Sequence, residues 1–97
     1  MISENPLSIE YSPLFKKYLK QIPAAIKTAF LETRELFDEN PNDPVLRNHP
    51  LRGKYAGFRS IDVTDDYRAL FKIRETKKEA IVIFHFLGTH EDLYGEN

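Results

Sequence analysis

The stretch 58-FRSIDVTDDYRALFKIRETKKEAIVIFHFL-87 decides the fold of this chain. It contains three segments with strand character, 58–63, 67–73 and 81–87, separated by polar residues. Apolar and polar residues alternate in the first two segments, as in a half-buried strand, whereas the third is almost continuously apolar, as in a strand buried on both faces. Strands joined without a crossover helix must pair antiparallel. We therefore predict a three-stranded antiparallel meander.

A short strand and two amphipathic helices are predicted before the meander. Apolar and polar residues alternate over 7–11, which indicates a strand. Ser12 and Pro13 have the residue types of a helix N-cap and a first helical position. Pro23 ends this helix and can begin the next one, whose apolar stripe continues at helical spacing to Phe37. The two helices would form a hairpin joined at the proline.

The order strand, helix, helix and three strands predicts one α+β domain over residues 1–97, with the helical hairpin packed on one face of the sheet. Ninety-seven residues are too few to give each of two halves a core of its own. The first two meander strands have one apolar face and one face of mixed residues. The helices would cover the apolar face, and the opposite face of the sheet would be polar. That face is then available for a functional surface.

Composition excludes several classes of protein. No apolar run approaches the roughly 18 to 20 residues of a membrane-spanning helix, and residues 1–5 lack the charged and apolar regions of a signal peptide. The chain has no cysteine, which removes disulfides and thiolate chemistry. We expect a cytoplasmic protein that does not contact a membrane.

The net charge of −1 conceals a local basic cluster. Segment 46–60 contains no acid and four cations, which are Arg47, Arg52, Lys54 and Arg59. Such a cluster can hold phosphates even in a mildly acidic protein, and a solvated loop is the equally good alternative. The overall charge argues against a protein that coats nucleic acid without specificity, because that affinity needs many phosphate contacts.

The chain has three histidines, His49, His85 and His90, and none of them has the spacing of metal ligands. We expect neither a metal nor a cofactor. His85 shares a predicted strand face with Leu87 and is therefore expected to be a core histidine. His49 and His90 fall in loops that flank the sheet, where side chains can be aimed at a ligand.

Two imidazoles, a carboxylate, arginines and a tyrosine suit phosphodiester chemistry in RNA. Attack by a 2′-hydroxyl needs a base, an acid for the leaving 5′-oxygen and cations to stabilise the phosphate oxygens. Histidine can take either proton role near neutral pH. Aromatic and guanidinium planes can stack on the bases. Residue types alone make this reaction only one candidate.

Four short motifs follow one another in the second half of the chain: HPLRG at 49–53, GFR at 57–59, DYRALF at 66–71 and GTHEDLYG at 88–95. Their order and spacing resemble the RelE/ParE superfamily of bacterial type II toxins, and within it the YafQ-like branch of ribosome-dependent mRNA endonucleases. The resemblance covers nearly the whole chain, including the first strand and the helical hairpin. It implies a RelE-like α+β fold.

The resemblance also implies a function. A toxin of this branch enters the ribosomal A site, cleaves mRNA by metal-independent 2′-hydroxyl attack and is neutralised by a cognate antitoxin. The expected partners are the antitoxin, the ribosome and mRNA, with operator DNA reached only through the antitoxin complex. Two alternatives stay open: a ParE-like toxin of the same fold that inhibits DNA gyrase, and a catalytically decayed toxin that serves only as the partner of its antitoxin.

Carried over position by position, the resemblance implies five catalytic residues. His49 matches the histidine of the His-Pro-Leu segment, and Asp66 matches the acid before the aromatic residue of the third strand. Arg68 matches an arginine that stabilises the scissile phosphate. His90 matches the catalytic histidine after the last strand, a general acid or base, and Tyr94 matches the C-terminal aromatic residue.

RNA binding is expected at four further positions, which are Arg52, Lys54, Arg59 and Tyr67. Tyr67 replaces the tryptophan of YafQ-like members. Asp62 stands at a catalytic position where those members place a histidine. A carboxylate cannot be assumed to replace an imidazole as a base at pH 7. With Asp62 in place of the histidine, three outcomes stay open: catalysis that is slower than in those members, catalysis by a different arrangement of groups, or no catalysis.

Overall fold

A five-stranded sheet organises the part of the chain that the computed structural model describes, residues 8–94. Its strands are β1 (Ser8–Tyr11), β2 (His49–Pro50), β3 (Arg59–Asp62), β4 (Tyr67–Glu75) and β5 (Ala80–Thr89). They lie in the order β1-β5-β4-β3-β2. Strands β3, β4 and β5 pair antiparallel, so the predicted meander is confirmed. Leu7 and Gly95, which belong to the predicted first strand and the last motif, lie outside the described residues.

Two strand pairings go beyond the prediction. β1 pairs parallel with β5, with Ser8 opposite Ile81, and this makes the sheet mixed. β2 is only two residues long and pairs antiparallel with β3, with His49 opposite Ser60. The second pairing brings the His-Pro-Leu segment to the edge of the sheet.

The two predicted helices are α1 (Pro13–Gln21) and α2 (Ala24–Glu39). The Ser12 side chain accepts a hydrogen bond of 3.0 Å from the backbone N–H of Phe15, and Pro13 occupies the first helical position, as predicted. Pro23 lies at the N-cap of α2, so one proline ends the first helix and begins the second. No helix in residues 8–94 is long and apolar enough to cross a membrane.

Phenylalanines from both helices pack against the sheet. The core contains Phe15, Phe30 and Phe37 from the helices with Phe71 and Phe84 from β4 and β5, each at most 1% exposed. The Phe84 ring contacts the other four rings at centroid distances of 5.4 to 5.9 Å. These contacts bury one face of the sheet. The opposite face, called the outer face below, is left to the functional groups.

A bulge in β5 alters which residues reach the outer face. Leu70 of β4 pairs with Phe86 and Phe71 pairs with Phe84, so that His85 has no partner on β4. His85 and Phe86 therefore both point to the outer face, where both rings lie 5.5 Å from the Phe58 ring. The prediction that His85 belongs to the core is wrong, because His85 directly follows the core residue Phe84 and therefore faces the opposite side of the sheet, where it is half-buried. The bulge adds Phe86 to the same side. Burial lowers the pKa of His85, and the nearby Lys72 charge adds to this shift.

Candidate active site

A pocket of about 450 Å³ opens on the outer face. It lies beside α3 (His90–Tyr94), a one-turn helix that directly follows β5. The lining residues are Arg47, His49, Leu51, Ser60, Arg68, His90 and Tyr94. Four of the five predicted catalytic residues therefore line one pocket, and the side chain of Asp66 does not.

Helix α3 holds two of these residues and is fixed by tertiary contacts. Five residues are too few for a stable isolated helix. The Asp92 N–H donates to the Thr89 hydroxyl at 2.9 Å and the Asp92 carboxylate accepts from the Thr89 N–H at 3.3 Å, which forms a capping box. Leu93 is buried, and its carbonyl accepts a hydrogen bond of 2.7 Å from the Tyr55 hydroxyl. These contacts set the positions of His90 and Tyr94.

The Tyr94 phenol is half-buried in the pocket, and its ring centroid lies 4.6 Å from that of His90. Burial raises the pKa of Tyr94, while the Ser60 hydroxyl and the positive charge of Arg68 act in the opposite direction. Since the ordinary pKa of tyrosine is already about 10, a raised value keeps the phenol protonated at neutral pH. Tyr94 can therefore donate a hydrogen bond to an anionic ligand.

The ring of His49 is oriented by its own loop. Its Nδ1 lies 2.7 Å from the carbonyl oxygen of Arg47. A carbonyl oxygen can only accept, so Nδ1 carries the hydrogen and the neutral ring has its lone pair on Nε2. Arg47 has a left-handed backbone with φ 49°, which turns the chain between the buried Leu46 and β2. In this tautomer His49 can accept a proton through Nε2.

Asp62 ties two arginines together at the edge of the pocket. Its carboxylate lies 2.7 Å from Arg47 Nε and 3.1 Å from Arg68 Nε. Asp62 and Arg68 are directly opposite each other on β3 and β4, which explains their contact. Arg68 Nη1 also donates to the carbonyl oxygens of Thr64 and Asp65, at 3.3 and 3.1 Å. Asp62, at the position where YafQ-like members have a histidine, thus orients Arg47 and Arg68.

The guanidinium groups of Arg68 and Arg47 differ in which N–H groups remain free to bind a ligand. The Arg68 side chain is only 14% exposed, and its Nε and Nη1 are occupied, which leaves Nη2 for an anion. The Arg47 side chain is 66% exposed and uses only its Nε on Asp62. Two positive charges therefore meet one negative charge at this edge, and the site keeps a net attraction for phosphate.

Several predicted residues lie elsewhere. The Asp66 side chain is exposed, and the residue meets the site only through its carbonyl oxygen, which accepts from the His90 N–H at 3.2 Å. Tyr67 lines a different cavity, between the end of α1 and α3. Arg59 points to the helix-covered face, where its Nε donates to the side chain of Asn48 at 2.7 Å. These three side chains are not brought into the pocket.

Arg52 and Lys54 are exposed in the loop between β2 and β3. The Lys54 ammonium lies 5.3 Å from the centre of the Tyr55 ring. Both residues precede Tyr55 in the chain, and the Tyr55 hydroxyl holds α3 beside the pocket. Both remain predicted RNA contacts.

Sequence reasoning missed three residues that line the pocket, Arg47, Leu51 and Ser60, and a fourth, Tyr55, that holds α3. Arg47 belongs to the basic cluster that was recognised, but nothing in the sequence separates it from its neighbours. Ser60 reaches the pocket because it lies opposite His49 on the undetected strand β2. Tyr55 carries no sequence signal for its bond to Leu93, 38 residues further along the chain.

Among residues 8–94, no group of three or more histidine, cysteine, aspartate or glutamate side chains could hold a metal ion.

The sheet with its helical hairpin and one-turn C-terminal helix has the fold of RelE-like toxins, and the chain is similar to toxins of the RelE superfamily, as the motifs predicted. Within it the chain is similar to the mRNA interferase toxin YafQ of Escherichia coli K12, with 29% identity over 91 residues, or 90% of this chain and 95% of YafQ. No family model matches the chain.

Solved structures agree with this likeness. The crystal structure of YafQ from E. coli BL21(DE3) superposes with a TM-score of 0.66 at 27% identity, covering 92% of this chain and 99% of that one. A chain of the E. coli DinJ-YafQ toxin-antitoxin complex superposes with a TM-score of 0.72 at 26% identity, covering 94% and 100%. The chain is therefore YafQ-like in both sequence and fold.

Proposed function

We propose that this chain is the toxin of a type II toxin–antitoxin system and that it is an endoribonuclease that cleaves mRNA. One observation carries the proposal: two imidazoles, His49 and His90, and the guanidinium of Arg68 line the same pocket. The similarity to the mRNA interferase toxin YafQ supports the same activity.

The proposed reaction needs only groups of the pocket and of the RNA. A base removes the 2′-hydroxyl proton, the 2′-oxygen forms a bond to the adjacent phosphorus, and the bond from phosphorus to the 5′-oxygen breaks. An acid supplies the proton that the leaving 5′-oxygen takes up. The products are a 2′,3′-cyclic phosphate and a 5′-hydroxyl end.

Each of the five predicted catalytic residues has a role in the proposed reaction. His49 serves as the base, since its Nε2 is free to accept a proton. His90 serves as the acid for the leaving oxygen. Arg68, through Nη2, and the protonated Tyr94 stabilise the charge that develops on the phosphate oxygens. Asp66 positions His90, because its carbonyl oxygen accepts a hydrogen bond from the His90 N–H.

The partners follow from the activity. The E. coli DinJ-YafQ toxin-antitoxin complex supports a cognate antitoxin for this chain. Translated mRNA would reach the pocket on the ribosome in the cytoplasm, and operator DNA would be contacted only through the antitoxin complex. Residues 1–97 would act as one toxin domain.

The decisive experiment compares translated and free mRNA. We expect the purified chain to cut mRNA in a translation extract and to leave the same mRNA intact without ribosomes, with 5′-hydroxyl ends at the cuts. Primer extension locates the cuts, and end labelling identifies their chemistry. Intact mRNA in the translation extract would contradict the proposal, and inhibition of gyrase supercoiling would favour the ParE-like alternative.

A second prediction concerns Asp62. The substitution Asp62→Asn removes the charge that orients Arg68 and Arg47, and it also makes the pocket more positive. We expect kcat to fall about tenfold because Arg68 is less firmly placed, while KM for RNA decreases. Steady-state cleavage kinetics measure both constants.

Asp65→Asn is the matched control for this prediction. It makes the same charge change in the adjacent turn, where the side chain is exposed and Arg68 contacts only the backbone carbonyl. We expect kcat to change less than twofold. Equal kcat values for the two variants would show that Asp62 does not position Arg68.

A further inference from the structure

The outer face carries a line of cations that begins in the pocket and runs away from it along β4. Arg68, Lys72 and Arg74 occupy alternate positions of this strand together with the buried Leu70, so they share one face. The rise of a strand spaces Arg68 and Arg74 about 20 Å apart. We call these three cations the β4 stripe. Lys72 and Arg74 are exposed, and among residues 8–94 neither forms an ion pair.

Aromatic rings lie beside the stripe. The Lys72 ammonium lies 4.6 Å from the centre of the half-buried Phe58 ring. Gly57 has φ +94°, a conformation that favours glycine, and the Lys72 Cε lies 4.0 Å from where a Cβ at this glycine would sit. The lysine stem therefore lies across the start of β3. Cation and ring form one surface, held in place by the backbone beneath them.

This surface is continuous with the pocket. The Tyr55 ring contacts Phe58 at a centroid distance of 6.0 Å and Tyr94 at 5.6 Å. A ligand that leaves the pocket past Tyr94 therefore meets Tyr55, then Phe58, and then the cations of β4. Phe86 supports both rings from β5, at 5.5 Å from each.

We propose that Lys72, Arg74 and Phe58 bind the nucleotides of single-stranded RNA that flank the cleaved bond. The inference deepens the proposed function and rests on it. Cations that follow one another along a strand suit a chain of phosphates, and an aromatic ring next to them suits a stacked base of any sequence. Arg68 is shared by the pocket and the stripe, so the strand enters the pocket from the direction of β4.

Residue composition favours RNA over an acidic protein segment. An acidic peptide would need the cations alone, whereas the stripe pairs a cation with an aromatic face at Lys72 and Phe58. Along β4 the outward positions carry no acid. Glu10, on β1, is exposed opposite Ile83 and lies two strands away from Lys72. A strand of phosphates can therefore follow β4 without meeting a carboxylate on that strand's face.

The test measures binding separately from cleavage. A short single-stranded RNA with 2′-O-methyl sugars cannot undergo 2′-hydroxyl attack, so its affinity reports contact alone. We expect the double variant Lys72→Glu/Arg74→Glu to bind this RNA at least tenfold more weakly than the unchanged chain. Loss of two phosphate contacts should also reduce the slope of log affinity against log salt by about 1.4. Fluorescence anisotropy over a salt series gives both values.

Lys16→Glu/Lys17→Glu is the matched control. It reverses the same number of charges on exposed positions of α1, whose Phe15 packs on the covered face of the sheet. We expect its salt slope to match that of the unchanged chain. Phe58→Leu keeps an apolar side chain without a ring, and we expect it to weaken binding at least fivefold with an unchanged salt slope. Thermal unfolding checks that each variant is folded.

The outcomes separate this inference from the proposed function. If the unchanged chain cleaves translated mRNA and the stripe variant binds RNA as tightly as the control does, the inference is overturned and the stripe belongs to another partner, such as an acidic protein. If the unchanged chain binds the methylated RNA through the stripe but never cleaves mRNA, the proposed function fails instead. Equal losses in the stripe variant and the α1 control would also overturn the inference, because the effect would then be one of net charge.

Discussion

Replacing His90 with alanine is expected to lower the rate of mRNA cleavage by about 10²- to 10⁴-fold, the usual contribution of a general acid or base. The imidazole lines the pocket together with Arg68 and lies 4.6 Å from the Tyr94 ring. The substitution spares the backbone bond from the His90 N–H to Asp66, and alanine is a good helix former. The loss should therefore appear in kcat and not in the folding of α3. Quantified cleavage in a translation extract measures it.

Glu91→Ala is the control for this substitution. It truncates the next side chain of the same helix, which is exposed and does not line the pocket. We expect its cleavage rate to stay within about threefold of that of the unchanged chain. Cleavage by His90→Ala at the full rate would remove His90 from the reaction. Gyrase inhibition that survives the substitution would support the ParE-like alternative.

Replacing Phe84 with alanine is expected to reduce the free energy of unfolding by about 3 to 5 kcal/mol. The ring is fully buried and contacts the phenylalanines of α1, α2 and β4. Its removal opens a cavity at a point where both helices meet the sheet, and it also removes the aromatic contacts. A domain of this size has a total stability of roughly 5 to 15 kcal/mol, so the variant should unfold at much lower denaturant.

Phe58→Ala provides the comparison, because it removes the same side chain from a half-buried position on the outer face. We expect the loss to be less than half that of Phe84→Ala. Urea unfolding followed by circular dichroism gives both free energies. Equal losses for the two variants would show that the two aromatic layers contribute equally to stability, contrary to the burial of their rings.

The local part of the fold was predictable from the sequence. Periodicity identified both helices and the three strands of the meander, and residue type identified Ser12 as an N-cap. These features depend on residues close to one another in the chain. The pairing of β1 with β5 joins residues more than 70 positions apart, and the two residues of β2 are too short for any period. Neither pairing leaves a pattern that can be read locally.

The site was only partly predictable for the same reason. The motifs pointed to His49, Arg68, His90 and Tyr94, which the structure brings to one pocket. The motifs do not show which side of the sheet a residue faces. Arg59 was therefore expected at the RNA, although its side chain lies on the helix-covered face. The two contacts of Asp62 with arginines depend on strand register and on the turn at 44–47, and neither follows from residue type.

The bulge in β5 lets the strand hold one extra residue without exchanging its faces. In a regular strand, the loss of one residue exchanges the two faces for every position that follows. Deleting His85 would instead remove the residue that has no partner on β4, and would leave Phe86 outward and Leu87 toward the helices. The register of the residues that lead to α3 would then be kept. This strand should therefore tolerate the loss of its bulged residue far better than the loss of a paired one.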